Sequence, residues 1–256
     1  MQAKRYIPSP VLRPYIKHFM IIESSNGMQN RILPDTSATI AFRLGGQTAF
    51  TNDNQLQPLP TAVLSGLRKT ARQVSYAAGS AMLLVIFRES GAAAFFKEPL
   101  YELYDQTVPL DCIVARQQLS ETEERLAGTG TDLQRIAIVE QFLQQRLTAC
   151  NDPLIGHAIQ QIKATNGTTR IKDLLAALPI SRDPFEKRFR KITGTSPKQF
   201  AGIVRLRHLI DTFPQAKSLT DAAYSAGYFD QAHFIKDFRL FTGQAPHDFF
   251  ASANWW

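Results

Sequence analysis

Gly227-Tyr-Phe-Asp-Gln-Ala-His-Phe-Ile-Lys-Asp-Phe-Arg-Leu-Phe-Thr-Gly-Gln-Ala-Pro246 decides the fold, because an earlier stretch of the chain already carries a version of it. At an offset of 49 residues, without a gap, Ala226 falls on Ala177, Phe234 on Phe185, Lys236 on Lys187 and Phe238 on Phe189. At the same offset Arg239 falls on Arg190, Thr242 on Thr193, Gly243 on Gly194, Pro246 on Pro197 and Phe249 on Phe200. These are nine identities in the 25 positions 177–201. Unrelated segments of similar composition share roughly one or two, so the repeat marks a duplicated structural unit.

Each copy reads as helix, tight turn, helix. In the first, Ile171, Leu174, Leu175 and Leu178 make an apolar stripe that breaks at Pro179. Ser181 then stands where a cap is needed, and Phe185, Phe189 and Ile192 recur at helical spacing. In the second, Leu219, Ala222, Ala223 and Ala226 form the first stripe and Gly227 the turn. Asp230 is the expected cap there, with Phe234, Phe238 and Phe241 on the buried face. Opposite the phenylalanines, the first copy presents Asp183, Glu186, Lys187 and Arg190, and the second presents Ala232, His233, Lys236 and Arg239. Two helices joined by a short turn, the second basic on its outer face, are the signature of a helix-turn-helix unit. Between the copies, Ser196-Pro197 caps and starts a helix to about Asp211, with Ile203, Leu206 and Ile210 inward and Arg205 and Arg207 free for phosphates. At 1.5 Å per residue it is about 22 Å long, enough to hold two recognition helices one DNA turn, ~34 Å, apart.

These segments resemble the DNA-binding domain of the AraC/XylS family. The stretch 227–246 is similar to the family's second-repeat signature. The stretch Ser181-Arg-Asp-Pro-Phe-Glu-Lys-Arg-Phe-Arg-Lys-Ile-Thr-Gly-Thr-Ser-Pro197 is similar to its first, and the likeness covers about residues 152–250. It departs from the family at Phe185, where Leu is usual, at Pro184 in the first helical turn, and at Pro179 in the turn. The resemblance implies that Asp183, Glu186, Lys187, Ala232, His233 and Lys236 face bases. It places Arg190 and Arg239 near the backbone, and Ser181, Arg182, Arg205 and Gln231 join them as candidate backbone contacts. Gln231 reads as a cap or a phosphate contact, and His233 as a surface histidine or a weak base reader. Residues 1–112 resemble the N-terminal domain of one branch of the family through Pro8-Ser-Pro-Val-Leu-Arg-Pro-Tyr-Ile16, Arg31-Ile-Leu-Pro-Asp35 and Tyr101-Glu-Leu-Tyr-Asp-Gln-Thr-Val-Pro-Leu110.

Charge agrees with a polyanionic partner. Residues 151–256 carry a net +5 and residues 1–150 a net +2, within a total of +7. Cations gain when they displace the counterions condensed on phosphates. Upstream, Thr39–Leu44 ending at Gly45-Gly46, Val63-Leu64, Gln73–Ala77 and Ala81–Phe87 read as strands, with a turn at Asn52-Asp53-Asn54. Gly91–Phe96 turns helical. Residues 113–148 read as a helical connector, with Leu133, Ile136, Val139, Phe142, Leu143 and Leu147 inward. Asp152-Pro153 opens the next helix, whose stripe is Ile155, Ala158, Ile159 and Ile162. The expected fold is α+β: a strand-rich sensor-like domain over 1–112, a connector over 113–150, and an all-α domain with two helix-turn-helix units over 151–256.

Other classes find little support. Two isolated cysteines, Cys112 and Cys150, make neither a disulfide framework nor a zinc site, and they suit a reducing cytoplasm. Cys150 reads as a packed thiol at the domain junction, and Trp255 and Trp256 as packing on the last helix or fraying. The five histidines have no metal-ligand spacing, and no paired carboxylates, nucleophile–base pair or Gly-rich phosphate loop is present. No catalytic residue, metal or cofactor is expected. No apolar run approaches a membrane span and the opening residues carry no apolar signal segment, so a cytoplasmic protein is expected, and the family resemblance implies a bacterial one. Arg31–Asp35 lines an effector pocket or forms a turn stabilised by Asp35, and Glu98, Glu102 and Asp105 read as exposed acids. The expected function is sequence-specific transcription regulation on double-stranded DNA. RNA polymerase, a small-molecule effector and a second copy of the chain are further candidate partners. The alternative is a small-molecule-binding or scaffold protein whose basic repeats contact another protein.

Overall fold

Strands form where apolar and polar side chains alternate, because successive residues of a strand face opposite sides. The computed structural model describes residues 2–52, 55–148, 152–213, 218–228 and 230–251. Its N-terminal half holds ten strands in chain order: β1 (Gln2–Tyr6), β2 (Ile16–Ser24), β3 (Met28–Ile32), β4 (Thr39–Gly45), β5 (Thr48–Asn52), β6 (Gln55–Pro58), β7 (Ala62–Ser65), β8 (Arg72–Tyr76), β9 (Ser80–Phe87) and β10 (Thr107–Pro109). They make a six-stranded sheet ordered β1-β2-β9-β4-β7-β10 and a four-stranded sheet ordered β3-β8-β5-β6. Every pairing is antiparallel.

The larger sheet is covered on both faces. Phe19, Ile21, Ile40, Phe42, Leu83, Val85 and Phe87 join the main core, where Phe42 meets Phe142 edge-on at 6.0 Å. On the other face Ile22 and Met82 pack with Val74 and Tyr76 of the smaller sheet. The four strands expected from the sequence are β4, β7, β8 and β9. Of the expected turn at 52–54, Asp53 and Asn54 lie outside the described residues, as do Cys150, Trp255 and Trp256.

Helices follow. Gly91–Ala94 is a single 3-10 turn rather than a helix to Phe96, and Leu100–Leu103 is another. The connector is two helices, α1 (Arg116–Ala127) and α2 (Asp132–Gln144), separated at Gly128-Thr129-Gly130. Ile136, Val139, Phe142 and Leu143 are buried as expected, but Leu133 is 71% exposed. It sits at the edge of that arc, in the first turn of α2. The first residue of α2 ties it to β1: the Tyr6 hydroxyl donates to Asp132 at 2.6 Å, and Lys4 lies 3.3 Å from the same carboxylate.

That hydrogen bond from Tyr6 is the main cause holding the Asp132 carboxyl below its ordinary pKa, with Lys4 and Arg135 adding to it. A carboxyl whose folded pKa is depressed contributes stability above its unfolded value and loses it as pH falls through the folded one. Thermal melts from pH 6 to pH 2 should therefore show a loss in the acid range that Tyr6→Phe makes shallower. Parallel curves for the two proteins would refute this.

The C-terminal half is α3 (Pro153–Ala164), α4 (Ile171–Ala176), α5 (Arg182–Thr193), α6 (Pro197–Thr212), α7 (Leu219–Ser225), α8 (Gln231–Thr242) and α9 (Pro246–Ala251). Asp152 caps α3 by accepting from Ile155 N, and the Ile155, Ala158, Ile159, Ile162 stripe is buried. The repeat survives in three dimensions at the same offset: α8 begins and ends 49 residues after α5, and α9 begins 49 residues after α6. Phe185, Phe189 and Phe200 stack in series at 5.6 and 5.5 Å, and Phe234, Phe238 and Phe249 do so at 5.6 and 5.3 Å. Each second helix ends on the same device. Thr193 and Thr242, both fully buried, donate to the carbonyls of Phe189 and Phe238, and Gly194 and Gly243 cap with φ of 86° and 79°.

The two glycines differ in surroundings. A Cβ on Gly243 would meet nothing within 4 Å, whereas one on Gly194 would lie 3.0 Å from the Leu100 carbonyl oxygen of the N-terminal half. Left-handed backbone disfavours any Cβ by about 1–2 kcal/mol. Gly243→Ala should lose about that much in urea unfolding, and Gly194→Ala clearly more. Equal losses would contradict the close approach.

Candidate nucleic-acid interface

A recognition helix works if its buried face fixes its orientation and its outer face stays free. In α5 the phenylalanines are buried, while Ser181, Arg182, Asp183, Lys187 and Arg190 are exposed. Glu186 is partly shielded between Arg182 at 3.0 Å and Arg190 at 3.9 Å, one helical turn to either side. The acid on this face is thus flanked by two cations, and exposed pairs of this kind are weak enough to rearrange when phosphate approaches. Lys187 makes no ion pair among the described residues.

In α8 the exposed arc is Gln231, Ala232, His233, Lys236 and Arg239. Lys236 and Arg239 make no ion pair among the described residues. The His233 ring lies 3.6 Å from Asp237 and edge-on to Tyr228 at 5.7 Å. Both helices therefore carry a free lysine and an arginine three residues later, at matching positions.

The caps differ. Asp230 accepts from Ala232 N at 2.9 Å as expected, but Ser181 at the equivalent place makes no side-chain cap bond. Pro184 explains part of this, because it stands third in α5, where a cap oxygen usually finds an N–H, and proline has none.

Arg205 and Arg207 are not the free phosphate ligands that spacing on α6 suggested. Arg205 lies 4.3 Å over the Tyr228 ring and 3.8 Å from Asp237, and its buried Nε has no partner among the described residues. Burial is the chief reason the Tyr228 phenol is pushed up to about 12. Arg207 donates to two backbone carbonyls of the N-terminal half, Pro34 at 2.7 Å and Leu33 at 3.2 Å. Of the two readings of Arg31–Asp35, the local one has support: Asp35 accepts from Thr36 N at 2.6 Å beside a bend, and the carbonyls of Leu33 and Pro34 before it anchor α6.

One pair escaped sequence reasoning. Arg188 holds Asp152 with two hydrogen bonds, 2.9 and 2.6 Å, fastening α5 to the start of α3. The equivalent residue of α8 is Asp237, which faces Arg205 of α6. So α3 supports the first unit as α6 supports the second, with the signs of the pair exchanged. Charge reversal at 188 and 237 across the repeat was the available signal.

Further contacts join the halves. Ala71 N donates to the Phe241 carbonyl at the end of α8 at 3.0 Å, Gln199 donates to the Tyr104 hydroxyl at 3.2 Å, and Lys163 pairs with Glu89. The N-terminal half thus touches the ends of both second helices and the helix between the units. Among the described residues no group of His, Cys, Asp or Glu is placed to hold a metal ion, and no helix is long and apolar enough to cross a membrane. Cys112 is free and exposed.

Comparison with known proteins matches two stretches of the chain. Residues 174–252 match the family model described as a helix-turn-helix domain, and residues 4–109 that of a domain of unknown function (DUF6597). No curated protein sequence matches the chain. Among solved structures, ToxT from Vibrio cholerae is similar at 10% identity and a TM-score of 0.48, over 98% of this chain and 97% of that one. The AraC-like transcriptional activator CuxR is similar at 11% identity and 0.28, over 87% and 91%. A cupin 2 conserved barrel domain protein from Salinispora arenicola is similar at 14% identity and 0.28, over 36% and 79%.

Proposed function

We propose that this chain, whose residues 174–252 match a helix-turn-helix family model, is an AraC-type regulator of transcription that reads duplex DNA with α5 and α8 in successive major grooves. The observation that carries the reading is the doubled exposed face: Lys187 with Arg190 and Lys236 with Arg239, each pair 49 residues from the other on helices fixed by matching aromatic stacks. Lys187 and Lys236 read base edges, where an ammonium donates to guanine O6 and N7. Asp183 and Glu186 accept from cytosine N4, while Ala232 and His233 line the second groove. Arg182, Arg190 and Arg239, with Ser181 and Gln231 at the helix starts, contact phosphates and set the register. Arg205 steadies α8 from behind.

Gating follows from the contacts between the halves. Residues 1–112 hold α6 through Arg207 and touch the ends of α5 and α8, so a shift there alters how the two reading helices sit on DNA. The connector, 113–150, meets the larger sheet of residues 1–112 through α1 and α2, and residues 151–256 do the reading. A small effector, RNA polymerase and a second copy of the chain are the partners through which such gating would act.

Fluorescence anisotropy with duplex DNA at several salt concentrations tests the reading. Each phosphate neutralised contributes about 0.9 to the fall of log K with log salt. Arg190→Ala and Arg239→Ala should each flatten that slope by about one and weaken all sequences alike. No duplex binding at low salt, or a slope indifferent to both substitutions, would refute it.

A further inference from the structure

We propose that His233 reads guanine in the groove of α8 as an imidazolium, and that Asp237 is the positioning residue that sets its ring. The inference rests on the reading of duplex DNA by α8 and names the base that one of its side chains selects.

His233 and Asp237 stand one helical turn apart on α8, with ring Nε2 3.6 Å from a carboxylate oxygen. That oxygen also accepts from the Tyr228 hydroxyl at 3.3 Å and lies 3.8 Å from Arg205 of α6. Arg205 covers the Tyr228 ring at 4.3 Å, and the same ring meets His233 edge-on at 5.7 Å. Asp237 is thus fixed from behind, and His233 leans on it from outside. The His233 side chain is 61% exposed against 31% for Asp237, so the imidazole is the member that a groove can reach. Its Nδ1 has no hydrogen-bond partner among the described residues and is left for DNA. The internal repeat breaks at all four members. At the 49-residue offset Arg205, Tyr228, His233 and Asp237 fall on Gly156, Pro179, Pro184 and Arg188. The first unit braces its helix through Arg188 and Asp152 with no imidazole, so the fold of such a unit does not require the histidine.

A neutral imidazole offers one donor and one acceptor, whereas an imidazolium offers two donors. On DNA the Asp237 carboxylate and the phosphates both favour the charged ring. Asp230 at the helix start adds to them, while Lys236, one turn further along the same arc, opposes them. Arg205 already faces Asp237 and lies behind it. On the neighbouring helices Asp221 is bonded to its own cap, Ser218, and His247 and Asp248 lie against each other at 3.6 Å. With Nε2–H turned to Asp237, the protonated Nδ1 becomes a donor aimed outward. Guanine meets it with two acceptors, N7 and O6, while adenine sets an amino donor beside its N7 and cytosine presents an amino donor. A neutral ring would accept at Nδ1 instead and prefer those amino groups. Binding to guanine therefore takes up a proton, so the affinity it supplies is present at low pH and is lost as pH rises. Lys236 reads the same block, so the block needs both side chains.

Duplexes selected from a random pool by the full-length protein are the probe, titrated by anisotropy at fixed salt from about pH 6 to pH 8.5, where imidazoles exchange their proton. The wild-type Kd should rise with pH, by up to about tenfold per pH unit where a whole proton is taken up. His233→Gln should flatten that profile and cut the preference for guanine at one position of one block by about fivefold or more. Asp237→Asn keeps the size of the brace and an acceptor for Tyr228, and it should flatten the profile as well. A merely structural loss would weaken every sequence alike and leave the profile as steep as before. If Asp237→Asn fails to fold, the ring nitrogen resonances of His233 in the wild-type complex decide. They should report an imidazolium on the selected duplex at pH 7.5 and a neutral ring once that guanine is replaced by adenine. A profile that His233→Gln leaves unchanged, a purely uniform loss in Asp237→Asn, or a neutral ring on the selected duplex would overturn the inference while the reading of DNA stands. No duplex binding at any pH would overturn both.

Discussion

Replacing Lys187 and Lys236 together by alanine is expected to lower affinity for a selected operator by about 2–6 kcal/mol while leaving the melting temperature unchanged. Each side chain is exposed and makes no ion pair among the described residues, so its removal opens no cavity and leaves no buried charge behind. A good contact to a base edge contributes about 1–3 kcal/mol of discrimination. The two lysines stand on separate helices without shared partners, and effects at such sites add. Binding to unrelated duplex should fall far less, because only the phosphate share is lost there. A double variant that weakens operator and random duplex equally would reassign both lysines to the backbone.

The second large effect is on folding. Phe189→Ala and Phe238→Ala should each destabilise the protein by about 3–5 kcal/mol in urea unfolding, the range for emptying a buried aromatic site. Both rings are fully buried, and removal breaks two ring contacts at Phe189 and three at Phe238, which also meets Phe250 at 5.6 Å. Against a total of about 5–15 kcal/mol for an ordinary domain, either loss is a large share of the stability. Losses near 1 kcal/mol would mean that the stacks do not hold the reading helices.

Why the second half was legible and much of the first was not follows from what each element exposes. In α5 and α8 the packing, the glycine caps and the buried threonines all recur at one offset, so chain and structure state the same fact twice. The strands β4, β7, β8 and β9 are well buried at most of their apolar positions, so each shows in the chain as a short run with apolar residues beside a turn signal. The polar strands β1, β3 and β6 are not, and every residue of β6 is exposed, so they carry no apolar period. The strand β2 is well buried but shifts register between Ile16 and His18, which breaks its alternation.

The candidate site was legible to the same degree. Helical spacing put on the outer arcs side chains that the structure leaves mostly exposed, yet it could not see Arg205 drawn in over Tyr228 or Arg207 held by Leu33 and Pro34. The partners of Arg207 are backbone carbonyls, as is the Phe241 oxygen that receives Ala71 N. A carbonyl has no residue signature, so contacts between the halves leave almost no trace in the chain.

Selecting bound duplexes from a random DNA pool with the full-length protein tests the central claim most directly. Two helices in successive grooves should enrich duplexes bearing two preferred blocks whose centres lie about 10–10.5 base pairs apart, and Lys236→Ala should erase the preference in one block alone. A pool that emerges without preference, or a single block indifferent to both Lys187 and Lys236, would contradict it.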